Sequence, residues 1–276
     1  MDIYVKQKGD KTKREIKLKK GDIYMGFIIT FVNEKGGVGK TSCCYNMAWE
    51  LANMKKNVLM IDMDGQRSNL TYYAGIEKNE DTLTMADLLR KNVNPSEAVQ
   101  KVKDNLFIVP ATQDVTNIGS TVKLKKMKDV IAALERHYDY VFIDVSPSPD
   151  YRHLLSLSIS DYALIIMLPD MASVEADNGI IETIEEVREV ANPYLKVAGI
   201  LFNRNEMRSN MGSIVRKLAD EISTKLNTKV FKNSIRNAVA IGEVAYMHEG
   251  ITDYDSNSKV ADDVRKVVKE FIKEVG

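Results

Sequence analysis

The chain has 276 residues, enough to bury a sizeable core as one large α/β domain. Its 39 basic and 39 acidic side chains cancel, so no global field draws it to nucleic acid or anionic membrane, and any such contact must come from a local patch. The two cysteines, Cys43 and Cys44, are adjacent and cannot span a loop, the N-terminus is charged, and no stretch approaches the ~20 apolar residues of a membrane span, so a cytoplasmic protein is expected.

Residues 1–25 carry eight basic side chains from Lys6 to Lys20, mixed with Asp2, Asp10, Glu15 and Asp22, and read as a solvated basic extension. A short hairpin around Gly9-Asp10, or an arm touching DNA or a partner, are the alternatives. A single domain is expected over 26–276, without linker, repeat or low-complexity tract. It opens with the apolar run Phe27 to Val32 and the loop Lys35-Gly36-Gly37-Val38-Gly39-Lys40-Thr41. Three glycines let the backbone curl so that successive N–H groups point at one anion, and the helix predicted from Ser42 adds its dipole. Lys40 can reach terminal phosphates, and the Thr41 hydroxyl is suited to Mg²⁺. Glu34 occupies the position where the common P-loop has its first glycine.

Cys44, Met47, Ala48, Leu51 and Ala52 follow helical spacing, and both cysteines are expected to pack in the core. Val58 to Asp62 is too apolar for a half-exposed strand and predicts a central parallel one. Leu83 to Arg90 and Pro95 to Val102 read as short helices, Leu106 to Pro110 as a strand, and Lys123 to His137 as an amphipathic helix with a solvated basic face. Tyr140 to Asp144 is a buried strand ending in a carboxylate, followed by a turn at Pro147 and Pro149. Strands at Ala163 to Leu168 and Val197 to Phe202 flank a helix over Val174 to Val190, and helices are predicted at Ser213 to Leu226 and Ser258 to Val275. The alternation implies an α/β fold with a doubly wound, mostly parallel sheet and helices on both faces, with ligands bound at the carboxyl ends of the strands.

Phosphoryl transfer needs positive charge on the phosphates, a metal, and a group that orients water. Asp144 is placed to hold Mg²⁺. Asp62 and Asp64, two apart, project similarly if the strand persists that far, one by the metal and one by the water.

The Lys35-to-Thr41 loop resembles the deviant P-loop of the ParA/MinD family of ATPases, and the resemblance spans about residues 26–272. It implies ATP and Mg²⁺ as ligands, bound by Gly36, Gly37, Val38, Gly39, Lys40, Thr41 and Ser42, and a slow, partner-stimulated ATPase. Lys35 would reach across an ATP-bound homodimer to the partner's nucleotide, the alternative being a local counter-charge within its own subunit. Asp62-Met63-Asp64-Gly65-Gln66 resembles the family's first switch, Asp-x-Asp-Pro-Gln, which gives Asp64 the water; Gly65 replaces the proline. Asp144-Val145-Ser146-Pro147-Ser148 resembles the second switch, Asp-Cys-Pro-Pro-Ser, with Pro147 in register. Pro169, Asn203 and Arg204 fall where the family forms its purine pocket, and Ile235 to Asp255 resembles its C-terminal portion.

The ParA-type reading expects non-specific DNA binding, a ParB-like stimulating partner and a role in plasmid, chromosome or mobile-element partition. Arg204, Arg208, Arg216, Lys217, Lys225, Lys229, Lys232 and Arg236 are the candidate phosphate contacts, although Ala240 stands where the family has an arginine. The alternative is a MinD-like positioning ATPase on membrane or scaffold. Val260, Val264, Val267, Val268, Phe271, Ile272 and Val275 form an apolar stripe, but Asp262, Asp263, Glu270 and Glu274 dilute the positive charge that anionic lipid favours, so packing on the sheet is expected. Iron–sulfur reductases of the same family need cysteines at the dimer interface, and its tyrosine kinases a tyrosine-rich tail; neither fits.

Overall fold

Strands that are apolar on both faces have to be covered on both. The computed structural model describes residues 26–65, 69–119, 122–147, 149–206 and 210–276, so the expected extension at 1–25 lies outside the described residues. Among the described residues one sheet contains β1 (Phe27–Val32), β2 (Val58–Met63), β3 (Gln100–Lys103), β4 (Leu106–Val109), β5 (Tyr140–Val145), β6 (Tyr162–Met167) and β7 (Lys196–Phe202). Their order is β3-β4-β2-β5-β1-β6-β7, parallel throughout except for the β3–β4 pair.

Successive strand residues feed opposite cores. Ile28 and Val32 of β1, Leu59, Ile61 and Met63 of β2, and Val141, Ile143 and Val145 of β5 pack with α3 (Met85–Arg90), α4 (Leu124–Glu135), α5 (Tyr151–Ile159), α6 (Met171–Val190) and α7 (Asn210–Lys225). Ile29, Phe31, Val58, Met60, Tyr140 and Phe142 pack instead with α1 (Lys40–Asn53) and α10 (Lys259–Val275). By the same parity Asp62 and Asp144, register partners on β2 and β5, both lie on the α1 face.

The stripe on α10 is buried in that second core, as are Cys43 and Cys44. Its apolar face is therefore covered by the protein itself. No helix among the described residues is long and apolar enough to cross a membrane.

Pro95 to Val102 does not form the expected helix. Pro95–Ala98 makes one 3₁₀ turn, capped where the Asn94 side chain accepts from the Ser96 N–H, and the chain then enters β3, which pairs antiparallel with β4. The reason lies beyond the segment: Asn105 adopts φ 64°, a left-handed turn conformation that asparagine tolerates and that folds β3 back on β4. The short α2 (Asn69–Tyr73), α5, α8 (Ala240–Met247) and α9 (Ile251–Tyr254) were also not separated by periodicity.

The Phe271 ring meets Phe142 edge-on at 5.7 Å and Tyr140 at 5.9 Å. Phe271→Ala should destabilise the fold by about 3–5 kcal/mol, measured by urea denaturation. A cost below about 1 kcal/mol would mean that α10 is not the cover of this face.

Candidate active site

The loop is fixed at both ends before any ligand arrives. Asn33, fully buried after β1, donates from Nδ2 to the Ile166 carbonyl at 2.8 Å and accepts from the Lys35 N–H at 2.7 Å. Gly37 and Gly39 take φ 79° and 91°, conformations that suit glycine. Gly39 is constrained twice, because a Cβ there would lie 2.2 Å from Asn203 Nδ2. That same amide donates to the Val38 carbonyl at 2.8 Å, so Asn203, expected at the purine pocket, braces the phosphate loop. Helix α1 starts at Lys40 without a side-chain cap, leaving its first N–H groups directed at the loop. Ser42 Oγ lies 3.3 Å from the Tyr73 hydroxyl. Pro169 and Arg204 stand just beyond β6 and β7, the first half-buried and the second exposed with φ 51°.

Lys40 is buried and donates from Nζ to the Asn33 carbonyl at 2.9 Å. Burial pushes its ammonium pKa down, against the pull of Asp144 and Asp64. Thr41 donates to Asp144 Oδ2 at 2.6 Å. Asp144 is fully buried, and its Oδ1 has no hydrogen-bond partner among the described residues. Burial first, and the neighbouring Asp62 charge second, push the Asp144 carboxyl pKa up.

Asp62 is satisfied differently. Its Oδ1 accepts from the Asp64 N–H at 2.9 Å, and its Oδ2 from the Thr71 N–H at 3.0 Å and hydroxyl at 2.6 Å. Burial raises its pKa to about 6 while these donors oppose the shift. Strand β2 ends at Met63, so the two-residue period does not extend to Asp64. The Asp62 carboxylate turns the backbone, and Asp64 starts a loop. Both oxygens of Asp62, expected near the metal, are engaged by the chain itself.

An all-oxygen pair of Thr41 and Asp144, with one buried carboxylate oxygen lacking a partner, fits a small divalent cation shared with phosphate. Among the described residues there is no group of three or more His, Cys, Asp and Glu that could hold a metal.

The AAA domain family matches residues 26–197. The sporulation initiation inhibitor protein Soj of Bacillus subtilis is 30% identical over 258 residues, covering 89% of this chain and 98% of its own. The chain belongs to the ParA/MinD family of P-loop ATPases. The chromosome partitioning protein ParA of Myxococcus xanthus is 30% identical, covering 92% of this chain and 91% of its own. An ATP complex of Cyanothece McdA shares the fold at a TM-score of 0.80 and 19% identity, over 90% of this chain and 97% of that one.

Two departures from the ParA/MinD switch patterns acquire physical reasons. A Cβ on Gly65 would lie 2.4 Å from Val115 Cγ1 and 2.8 Å from the Thr116 N, because the 3₁₀ turn Gln113–Asn117 presses on this loop. There is no room for the family's proline. Ser146, the second, is buried and accepts from Arg152 Nη2 at 3.2 Å. Gln66, Ser148 and Arg208 lie outside the described residues.

Lys35 is tied within its own chain, with Nζ 3.1 Å from Asp170 Oδ1, and neighbouring Glu34 accepts from the Thr183 hydroxyl of α6 at 2.8 Å. Gly179 makes that docking possible, since a Cβ there would lie 2.2 Å from Glu34 Oε2.

Among the described residues, three of the candidate DNA cations are engaged by groups of the same chain. Arg216 donates to the Phe231 and Val230 carbonyls, Arg236 pairs through two nitrogens with Asp263, and Lys229 pairs with Glu274. Lys217, Lys225 and Lys232 are exposed. The stretch looked poor in acids because its partners sit on α10, more than 25 residues away in sequence. Sequence reading also missed Asn33, Thr71, Asp170 and Arg152; of these only Asn33, next to the loop, stood in a suggestive place.

Gly65→Ala should destabilise the protein by about 1–3 kcal/mol, since backbone and a packed valine cannot both yield. Gly119→Ala, with nothing within 4 Å of a new Cβ, is the control and should stay within about 0.5 kcal/mol. Equal melting curves for the two variants would rule out the packing of the first switch on the 3₁₀ turn.

Proposed function

We propose that this chain is a ParA-type ATPase whose ATP-bound homodimer binds DNA non-specifically in a partition task, with hydrolysis stimulated by a partner protein. The observation that carries the chemistry is the Thr41–Asp144 pair at the mouth of a glycine loop, with a buried carboxylate oxygen left over. The partition role is supported by the chromosome partitioning protein ParA among the relatives. A cytoplasmic location follows from that role.

In this reading the loop N–H groups and Lys40 bind the phosphates, while Thr41 and Asp144 hold Mg²⁺. The metal supplies neutralisation of phosphate charge. Asp64 orients water, whose oxygen bonds to the γ-phosphorus as the bond to the β–γ bridging oxygen breaks, yielding ADP and phosphate. Asp62 acts through Asp64, by holding its N–H. Lys35 leaves Asp170 to reach the partner's nucleotide, and Pro169 and Arg204 border the base.

The engagement of Arg216, Arg236 and Lys229 by groups of the same chain favours one competing reading, a protein scaffold as the working surface. The buried α10 stripe argues against a membrane.

Lys40→Ala should abolish tight ATP binding in a fluorescent-nucleotide titration, and undiminished affinity would exclude the P-loop assignment. Asp64→Ala should keep ATP binding and dimerisation and lower turnover by about 100-fold or more. ATP-loaded Asp64→Ala protein should then co-sediment with plasmid DNA and not with anionic liposomes, and binding should weaken steeply with salt. Sedimentation with neither would replace DNA by a protein scaffold.

A further inference from the structure

Arg152, in the first turn of α5, is only 3% exposed, and the nucleotide chemistry above does not use it. A buried guanidinium costs several kcal/mol of desolvation unless its geometry and partners are good. Here they are specific. Nε donates to Asp150 Oδ2 at 3.0 Å, and Nη2 reaches the same oxygen. Nη2 also donates to Ser146 Oγ at 3.2 Å, and Nη1 to the Met63 carbonyl at a longer 3.4 Å. Asp150 is itself fixed as the α5 N-cap, accepting from the N–H groups of Arg152 and His153.

One planar group thus touches the last residue of β2 and the first residue after β5, two strand ends that are already register neighbours. Met63 immediately precedes Asp64, and Ser146 follows Asp144 by two residues. Lysine could not reproduce this set, because a single ammonium lacks the rigid fork whose separate nitrogens meet Asp150, Ser146 and the Met63 carbonyl at once. Ser146 and Gly65 are also the positions where the resembling switch patterns carry proline. A proline at 146 would stiffen its own loop but offer no side-chain acceptor, whereas serine lets the loop be tied to a neighbour.

We propose that Arg152 is a positioning residue that reinforces the β2–β5 pairing where the strands end, coupling the loop that opens at Asp64 to the loop that follows Asp144 and Val145, so that the water-orienting and metal-holding carboxylates keep one fixed relation. This rests on the ATPase reading above. The link acts on turnover rather than on nucleotide affinity, because the phosphate contacts of the glycine loop do not pass through it.

Ser146→Ala removes one acceptor and leaves the Arg152–Asp150 pair intact. It should lower kcat about tenfold with KM for ATP changed less than about twofold. In ATP-free protein it should also speed amide exchange at Asp64 and Gly65 about tenfold, although the substitution is in the other loop. Arg152→Lys should do the same, and the double variant should be no worse than Arg152→Lys alone, since both cut one link. Unchanged kcat and unchanged exchange at Asp64 in Ser146→Ala would overturn the proposal, as would additive losses in the double variant. If Arg152→Lys does not fold, Ser146→Ala decides alone. A wild-type protein that neither binds nor hydrolyses ATP would overturn the ATPase reading instead, while amide exchange would still test the coupling.

Discussion

Two carboxylates buried in register on neighbouring strands, Asp62 and Asp144, set the terms for the rest of the site. Each costs free energy to keep ionised away from water, and each raises the cost for the other. The chain answers the two differently. Asp62 receives three donors from its own backbone and Thr71, which turns repulsion into a rigid loop. Asp144 receives the Thr41 hydroxyl and keeps one oxygen unanswered. Burial meanwhile disfavours the charge on Lys40. A polyphosphate and a divalent cation arriving together would relieve both strains, the first by facing Lys40 and the second by facing Asp144. Either alone would relieve one and aggravate the other.

The parts of this arrangement that depend on local order were legible in the sequence. Alternating apolar strands and helices gave the sheet, and Gly37, Gly39, Lys40 and Thr41 marked the loop, because torsional freedom and charge at fixed spacing leave few other uses. The parts that depend on distant register were not. Strand β3 follows from the left-handed Asn105 beyond it, and Asp263 and Glu274 reach Arg236 and Lys229 from α10. Asp62 carried the right residue type but an unforeseen partner, since a strand-end carboxylate that caps the next residue's loop looks the same in sequence as one that faces a metal.

The departures at Gly65 and Ser146 belong together. Proline restricts a loop through its own ring and does so without neighbours. Glycine and serine restrict nothing locally, and serine leaves an acceptor on the backbone's surface. In this chain the first loop is pressed by Val115 and Thr116, and the second is held by Arg152. Order that the family pattern builds into the loop itself is here supplied by the surrounding fold. Such order is more easily coupled, because a neighbour that holds two loops can move them together.

The tie between Lys35 and Asp170 follows the same logic at the entrance. The two side chains are 30% and 45% exposed, so the pair is worth at most about 1 kcal/mol. That is enough to give Lys35 a preferred direction in the ATP-free chain and too little to resist a polyphosphate, whose several negative charges in a half-buried site outweigh one exposed carboxylate. Glu34 makes the same point from the other side: its bond to Thr183 across Gly179 anchors the residue before Lys35 to α6, so the lysine can swing while the backbone beneath it stays put. In the proposed reading, in which Lys35 acts on a second chain, the lysine is therefore parked rather than free.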